Sequence, residues 1–285
     1  MSPPVAVVTD STAYLDPGVC ADRGIAVVPL QVVVGGRPFF EGVDVGPGDV
    51  ADALRHWVPV TTSRPNPQAL LEAYEAAAES GAGGVVSLHL SAEVSGTVEA
   101  AQLAARQAPV PVEVVDSRSM GMGLGFAVLA ASDAVAGGAD LAEAAEVARA
   151  RAARTTALFY VDTLEYLRRG GRIGAARALL GTALAVKPLL HLADGRIEPL
   201  EKVRTASRAL ARLQELALDA VAAAGEGAAV DVAVHHLASA ERAANLASEL
   251  RGRLSGRGEV LVAEVGAVIG AHVGPGMIAV VVSPR

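Results

Sequence analysis

VVSLHLSAEVSGTVEAAQ, residues 85–102, decides how this chain is to be read. An apolar run, Val85 to Leu90, stops at a Ser- and Gly-rich turn, Ser91 to Thr97, and a helix-period segment begins at once. Strand, small-residue turn and helix in that order make an anion site. The first amides of a helix have no intrahelical partner, and the helix dipole adds a partial positive charge there. The turn carries Glu93 and no Lys or Arg. A phosphate dianion at such a place normally has a basic partner, as in the Gly- and Lys-containing phosphate loop, which is absent here. A carboxylate needs less help, because hydrogen bonds to the ionised form keep its pKa low even beside apolar walls.

Working outward, the same alternation recurs through the first half. Strand-like runs at Val5–Thr9, Val27–Val34, Val85–Leu90 and Val112–Val115 are interleaved with helix-period segments near 48–57, 67–80, 97–107, 122–136 and 140–153. That pattern predicts a three-layer α/β domain with a parallel sheet, whose ligands gather outside the carboxyl ends of the strands. Small polar clusters are expected at those ends: Asp10-Ser11-Thr12, Thr61-Thr62-Ser63, Ser91 to Thr97 and Asp116-Ser117. Asn66 followed by Pro67 reads as a helix cap with proline in the first turn. Each cluster, taken alone, reads equally as an ordinary loop whose Ser, Thr and Asp cap a helix.

Beyond about residue 155 the pattern changes to strand-like runs at 155–161, 229–235, 259–265 and 277–282 with helices at 205–224 and 239–253. This predicts an α+β domain. The expected division is an N-terminal α/β domain, residues 1–153, and a C-terminal α+β domain, residues 154–285. With 285 residues, each domain is large enough to bury its own core.

Composition narrows the functions. The chain is 52% hydrophobic but only 3% aromatic, so cores and pocket walls are built from Val, Leu, Ile and Ala. A net charge of −7, with 24 basic residues forming no dense block, excludes a nucleic-acid surface and an anionic-membrane surface. Cys20 stands alone, which leaves no disulfide framework or Cys-based metal site and points to a reducing compartment. The N-terminus lacks a basic region followed by a long apolar core. The apolar run Leu179 to Leu192 is broken by Lys187, Pro188 and His191, so a cytoplasmic protein with no integral membrane association is expected.

Among the histidines, His272 stands out in AHVGPG (271–276), where Pro275 between Gly274 and Gly276 fixes a tight turn beside an apolar strand. It reads either as a ligand group or as a satisfied strand-end residue. His235 and His236 are adjacent on a strand and face opposite ways, which makes them poor joint metal ligands, and His56 and His89 have no evident partner. No metal or other cofactor is implied. Arg168, Arg169 and Arg172 in LRRGGRIG (167–174) form a basic turn suited to an anion or to a partner's acidic groups, or else a solvated loop. In EKVRT (201–205), Lys202 and Arg204 share one strand face.

Taken together, VTDST (8–12), TTSRPNP (61–67), SAEVSGT (91–97), DSRSMGMG (116–123), LEYLRRGGRIG (164–174), KPLL (187–190), EKVRT (201–205) and AHVGPG (271–276) resemble the DegV family of bacterial fatty-acid-binding proteins over nearly the whole chain. The resemblance implies that the two domains enclose one long-chain fatty acid, whose carboxylate is bound at the domain interface by Thr62, Ser95 and His272, with Gly96 in the same set. It also implies that a separate ATP-binding fatty acid kinase subunit phosphorylates the bound carboxylate, with Arg172 and Arg204 contacting that partner or the transferred phosphate. On this reading the chain is a lipid-binding component, not catalytic alone. The alternative is an acyl hydrolase or acyltransferase with Ser95 as nucleophile and His272 as base, although no GxSxG elbow is present. Phosphorylation of a small polyol rests on fold analogy alone, and the aliphatic composition argues against it. Arg64 stands where related motifs carry Gln, and Ala92-Glu93 replace small residues. Glu93 is expected to face solvent, away from the anion.

Overall fold

A computed structural model of the chain describes residues 4–63, 66–179, 187–254 and 256–285. Arg64, and the part of the broken apolar run that covers 180–186, lie outside the described residues. In chain order the elements are β1 (Val5–Asp10), α1 (Pro17–Arg23), β2 (Ile25–Val28), β3 (Gln31–Val34), β4 (Arg37–Phe40), α2 (Pro47–Arg55), β5 (Val60–Thr62), α3 (Pro67–Glu79), β6 (Gly84–His89), α4 (Thr97–Ala105), β7 (Val112–Asp116), α5 (Met122–Ala136) and α6 (Leu141–Ala153). They continue with β8 (Thr156–Tyr160), α7 (Glu165–Arg169), β9 (Lys187–Ala193), β10 (Arg196–Val203), α8 (Ala206–Ala223), β11 (Val230–His236), α9 (Ala240–Leu254), β12 (Val260–Glu264), α10 (Ala267–Val273) and β13 (Ile278–Pro284).

Two compact units result. The first is Met1–Leu30 with Arg64–Arg154, the second Gln31–Ser63 with Thr155–Arg285. The segment 31–63, placed in the N-terminal domain on sequence grounds, therefore groups with the second unit. The expected single strand Val27–Val34 is in fact two, and the break at Pro29-Leu30 explains why. Proline offers no amide to a ladder, and here β2 ends in one sheet and β3 begins another.

In the first unit a parallel sheet runs β2-β1-β6-β7. All six residues of β6 are buried, as a strand covered on both faces must be. On one face, Leu70, Leu71 and Tyr74 of α3 and Ala100, Ala101 and Ala104 of α4 pack on Val8, Val28 and Val85. α5 and α6 also pack against this sheet. Asn66 caps α3 through the amide of Gln68 at 3.0 Å, with Pro67 next in line.

In the second unit a mixed six-stranded sheet runs β10-β9-β8-β13-β11-β12, antiparallel except for β11 and β12. Alternate residues Val230, Val232 and Val234 of β11 and Ile278, Val280 and Val282 of β13 meet Leu213, Ala217 and Val221 of α8 and Leu246, Leu250 and Leu254 of α9. The segment 31–63 adds a three-stranded antiparallel sheet, β4-β3-β5, and α2, with α10 packed against β3, β5 and α2. Thr61 and Thr62 thus lie in β5 and not at the edge of the parallel sheet, where the other three small polar clusters do fall. Among the described residues no helix is long and apolar enough to cross a membrane.

Candidate functional site

The first unit prepares its site by strand order. The chain leaves β1 for β2 on one side, then returns to place β6 on the other. The crevice between β1 and β6 is therefore the switch point of the sheet, flanked by the loops that follow Asp10 and His89. Asp10 ties them together. Its Oδ1 accepts from the Thr12 amide at 3.0 Å and from the Thr12 hydroxyl, and its Oδ2 accepts from the Leu90 amide at 3.1 Å and lies 2.9 Å from His89 Nδ1. His89 Nε2 meets Ser87 Oγ at 2.7 Å, and Ser87 Oγ meets Tyr74 OH at 2.8 Å. Burial pushes the Tyr74 phenol up to about 12, so it stays a donor. The donors then run in one direction, Tyr74 to Ser87 to His89 to Asp10, and every member is satisfied. Asp10, Ser87, His89 and Tyr74 are fully buried, so this Ser–His–Asp relay cannot meet a substrate. Its work is to fix the entry to the turn. Sequence reasoning leaves His89 without a partner; Ser87 at i−2 on the same strand face is the available signal.

The turn itself folds on small-residue bonds. The Ser91 amide donates to Ser119 O at 2.8 Å, the amides of Val94 and Ser95 donate to Ser91 O at 3.2 Å, and the Ala92 amide donates to Asp116 Oδ1 at 3.2 Å. Ser95 is half-buried, and its hydroxyl pairs with Thr97 Oγ1 at 2.8 Å, which is no general base. Gly96, exposed, is the N-cap of α4 and supplies no side-chain cap, so the first amides of that helix take no partner from a cap side chain. The Glu93 side chain is exposed, as expected. Nearby, the hydroxyl of buried Ser119 has no hydrogen-bond partner.

The second unit brings Thr62 and His272 together. β5 ends at Thr62, paired with Val32, and His272 sits in the last turn of α10. Thr62 Oγ1 and His272 Nε2 are 3.0 Å apart. The sequence reading places His272 beside a strand. It is helical because the GPG turn comes after it: Gly274, at φ +74, ends the helix, and Gly276 follows at φ +93. A Cβ at Gly274 would stand 2.0 Å from the Tyr166 ring, and one at Gly276 2.0 Å from Asp162 Oδ2. Both positions need glycine for conformation and for space. Asp162 in turn accepts from Tyr160 OH and from Lys187 Nζ at 3.1 Å, so Lys187 braces the turn.

Burial, with the nearby charge of Arg172 as a second cause, pushes His272 down to about 4. The imidazole is neutral at neutral pH and serves as a hydrogen-bonding group, not a counter-ion. Its Nδ1 is buried without a partner. Arg172, half-buried, donates from Nη1 to Gly170 O at 2.7 Å and so holds its charge near that ring. Arg168 and Arg169 both bind Glu165, whose carboxyl they hold down at about 2, and Arg169 also lies 4.9 Å over the exposed ring of Trp57. Arg204 is exposed in the turn between β10 and α8. His235 is buried and pushed down to about 4 by that burial, with Nδ1 facing Ala263 O at 3.1 Å. Among the described residues no group of His, Cys, Asp and Glu is placed to hold a metal ion.

A family model described as "Uncharacterised protein, DegV family" matches residues 4–285. A DegV domain-containing protein of Streptomyces coelicolor is 59% identical over 285 residues, all of both chains. Among solved structures, a fatty-acid-binding DegV family protein from Thermus thermophilus is 34% identical with a TM-score of 0.90, covering 99% of this chain and 100% of its own. DegV from Bacillus subtilis, described as a fatty acid binding protein, is 32% identical with a TM-score of 0.91 over 100% of both chains.

Proposed function

The chain belongs to the DegV family, and we propose that it binds one long-chain fatty acid through its carboxylate. Thr62 and His272 supply one set of head-group ligands, and Ser95 with the Gly96 amide supplies the other. The observation that carries this reading is the Thr62–His272 pair: a hydroxyl and a neutral imidazole bonded at 3.0 Å, in which an Nε2–H donated to Thr62 Oγ1 leaves the hydroxyl proton for a ligand. Such a pair binds a singly charged group by donated hydrogen bonds. Two relatives, from Thermus thermophilus and Bacillus subtilis, are described as binding fatty acids. The aliphatic composition suits an acyl chain, and each buried methylene contributes about 0.8 kcal/mol before ordering costs. The tail dominates affinity, while the head group sets orientation.

We further propose that the protein acts in the cytoplasm without a cofactor and without turnover of its own. It presents the carboxylate to a separate ATP-dependent kinase that forms the acyl phosphate. Arg172, beside His272, is suited to the transferred phosphate, and exposed Arg204 to the partner. Native mass spectrometry of the purified protein, followed by denaturation and lipid identification, tests the first claim. An adduct matching an acid of roughly sixteen to eighteen carbons is expected, its burial giving on the order of 11 kcal/mol gross. A protein that carries no lipid, and takes up none when a C16 acid is supplied, refutes it. Arg204→Ala is expected to spare lipid binding and impair phosphorylation; release of the lipid instead would remove Arg204 from the partner surface.

A further inference from the structure

Two neighbouring glycines in LRRGGRIG are glycine for different reasons. Gly171 has φ +73 and nothing within 4 Å of where a Cβ would stand, so its requirement is conformational. Gly170 has φ −73 and ψ −9, ordinary helical values that any residue adopts, and alanine is the better helix former there. Yet a Cβ at Gly170 would lie 2.0 Å from His272 Nδ1, 2.7 Å from Cε1 and 3.2 Å from Cγ. The imidazole rests directly on the backbone of residue 170. Its opposite nitrogen meets Thr62 at 3.0 Å, and the carbonyl of the same Gly170 holds Arg172 at 2.7 Å. The contact is reciprocal, since the Tyr166 ring of α7 presses on Gly274, two residues after His272.

We propose that Gly170 is a positioning residue: its missing side chain lets the His272 imidazole lie against the chain with Nε2 on Thr62, and its carbonyl fixes Arg172 beside that ring. The inference rests on the role proposed above for Thr62 and His272 in carboxylate binding. What a Cβ would meet is a ring on two rotatable bonds and not backbone, so the accommodation open to a Gly170→Ala chain is to swing the imidazole off Thr62. The fold survives and the geometry of the pair does not.

The test combines imidazole NMR with binding of a C16 fatty acid in Gly170→Ala, Gly171→Ala, His272→Ala and the Gly170→Ala/His272→Ala double variant. Gly170→Ala is expected to shift the His272 resonances and raise their titration midpoint toward that of a free imidazole, as the ring leaves its buried seat. Affinity is expected to fall about tenfold, the worth of one hydrogen bond to a charged group. In the His272→Ala background the same change is expected to alter affinity by no more than about twofold. Gly171→Ala is expected to lower the melting temperature and leave the His272 resonances in place. Unmoved resonances in Gly170→Ala, or an equal affinity loss in both backgrounds, overturn the proposal. If Gly170→Ala does not fold, the double variant decides: folding restored by removing the ring upholds the clash, and continued failure overturns it. Shifted resonances in a protein that binds no fatty acid would uphold the positioning role and defeat the proposed function instead.

Discussion

Each unit carries a histidine bonded to a hydroxyl, and the two differ in what is left over. His89 uses both ring nitrogens, with Asp10 on one and Ser87 on the other, and the whole chain from Tyr74 to Thr12 is closed to solvent. His272, half-buried beside Arg172, uses one nitrogen on Thr62 and keeps the other buried and unpartnered. A saturated buried network has nothing further to bind, so it rigidifies the crevice between β1 and β6. An unsaturated one carries a cost in stability, and because the Gly170 backbone closes off Nδ1, the group left to meet a ligand is the Thr62 hydroxyl. Histidine-plus-hydroxyl therefore marks a site only when the accounting of donors and acceptors does not close.

The largest expected effect comes from opening the closed network. Asp10→Ala strips partners from His89, from the Leu90 amide and from Thr12 at once, all in a region without water access. Each buried donor left without a partner costs about 1–3 kcal/mol, so urea unfolding of the variant should show a loss of at least about 3 kcal/mol. A loss well below about 1 kcal/mol would mean that the network is not what secures the β1–β6 crevice.

Much of this is legible in the chain, and the exceptions have physical causes. Period-2 and period-3.6 patterns locate the parallel sheet and its helices, and the Ser91–Thr97 turn follows from a strand that stops at small residues. Asn66-Pro67 signals its own cap. The Asp10–His89 bond is not legible, because the two residues are far apart in sequence and meet only once β1 and β6 pair in register. That segment 31–63 groups with the second unit is not legible either, because Val27–Val34 looks like one apolar run. The significance of Pro29 becomes clear only when β3 is seen pairing with β4 and β5. His272 reads as a strand-end residue because α10 is only seven residues long and its sequence, AVIGAHV, is apolar but for the histidine. The spacing of RGGR is visible, but the fact that Gly170 is needed for space and Gly171 for conformation depends on which ring lies above each.

The next effect concerns His272 and pH. His272 is held neutral down to about 4, whereas a free imidazole titrates near 6.5. As pH falls, the unfolded chain takes the proton first, so stability is full above about 6.5 and is lost progressively toward 4. The displacement amounts to at most roughly 3 kcal/mol. His235 is pushed down in the same direction, so the wild type alone does not isolate the effect. His272→Gln does, because it keeps a polar side chain that does not titrate. Unfolding free energies measured at pH 7 and pH 4.5 should fall more steeply in the wild type than in the variant, and parallel curves would show that the seat on Gly170 and Thr62 does not desolvate the ring.

The smallest effect tests the rule about leftovers inside the first unit. Ser119 Oγ is buried without a partner, like His272 Nδ1, while the carbonyl of the same residue anchors the Ser91 turn by accepting the Ser91 amide. Deleting a hydroxyl that makes no bond sacrifices nothing and relieves its desolvation, so Ser119→Ala should leave stability unchanged or raise it by up to about 1 kcal/mol. Thermal unfolding with and without a C16 fatty acid distinguishes the two meanings of an orphaned atom. If the variant is stabilised and its ligand-induced rise in melting temperature is unchanged, the hydroxyl is only a packing defect. If the variant is stabilised alone but gains less from the fatty acid, the hydroxyl joins Ser95 and Gly96 in meeting the carboxylate. A variant destabilised without ligand would contradict the accounting itself, since a group with no partner would then have been contributing to the fold.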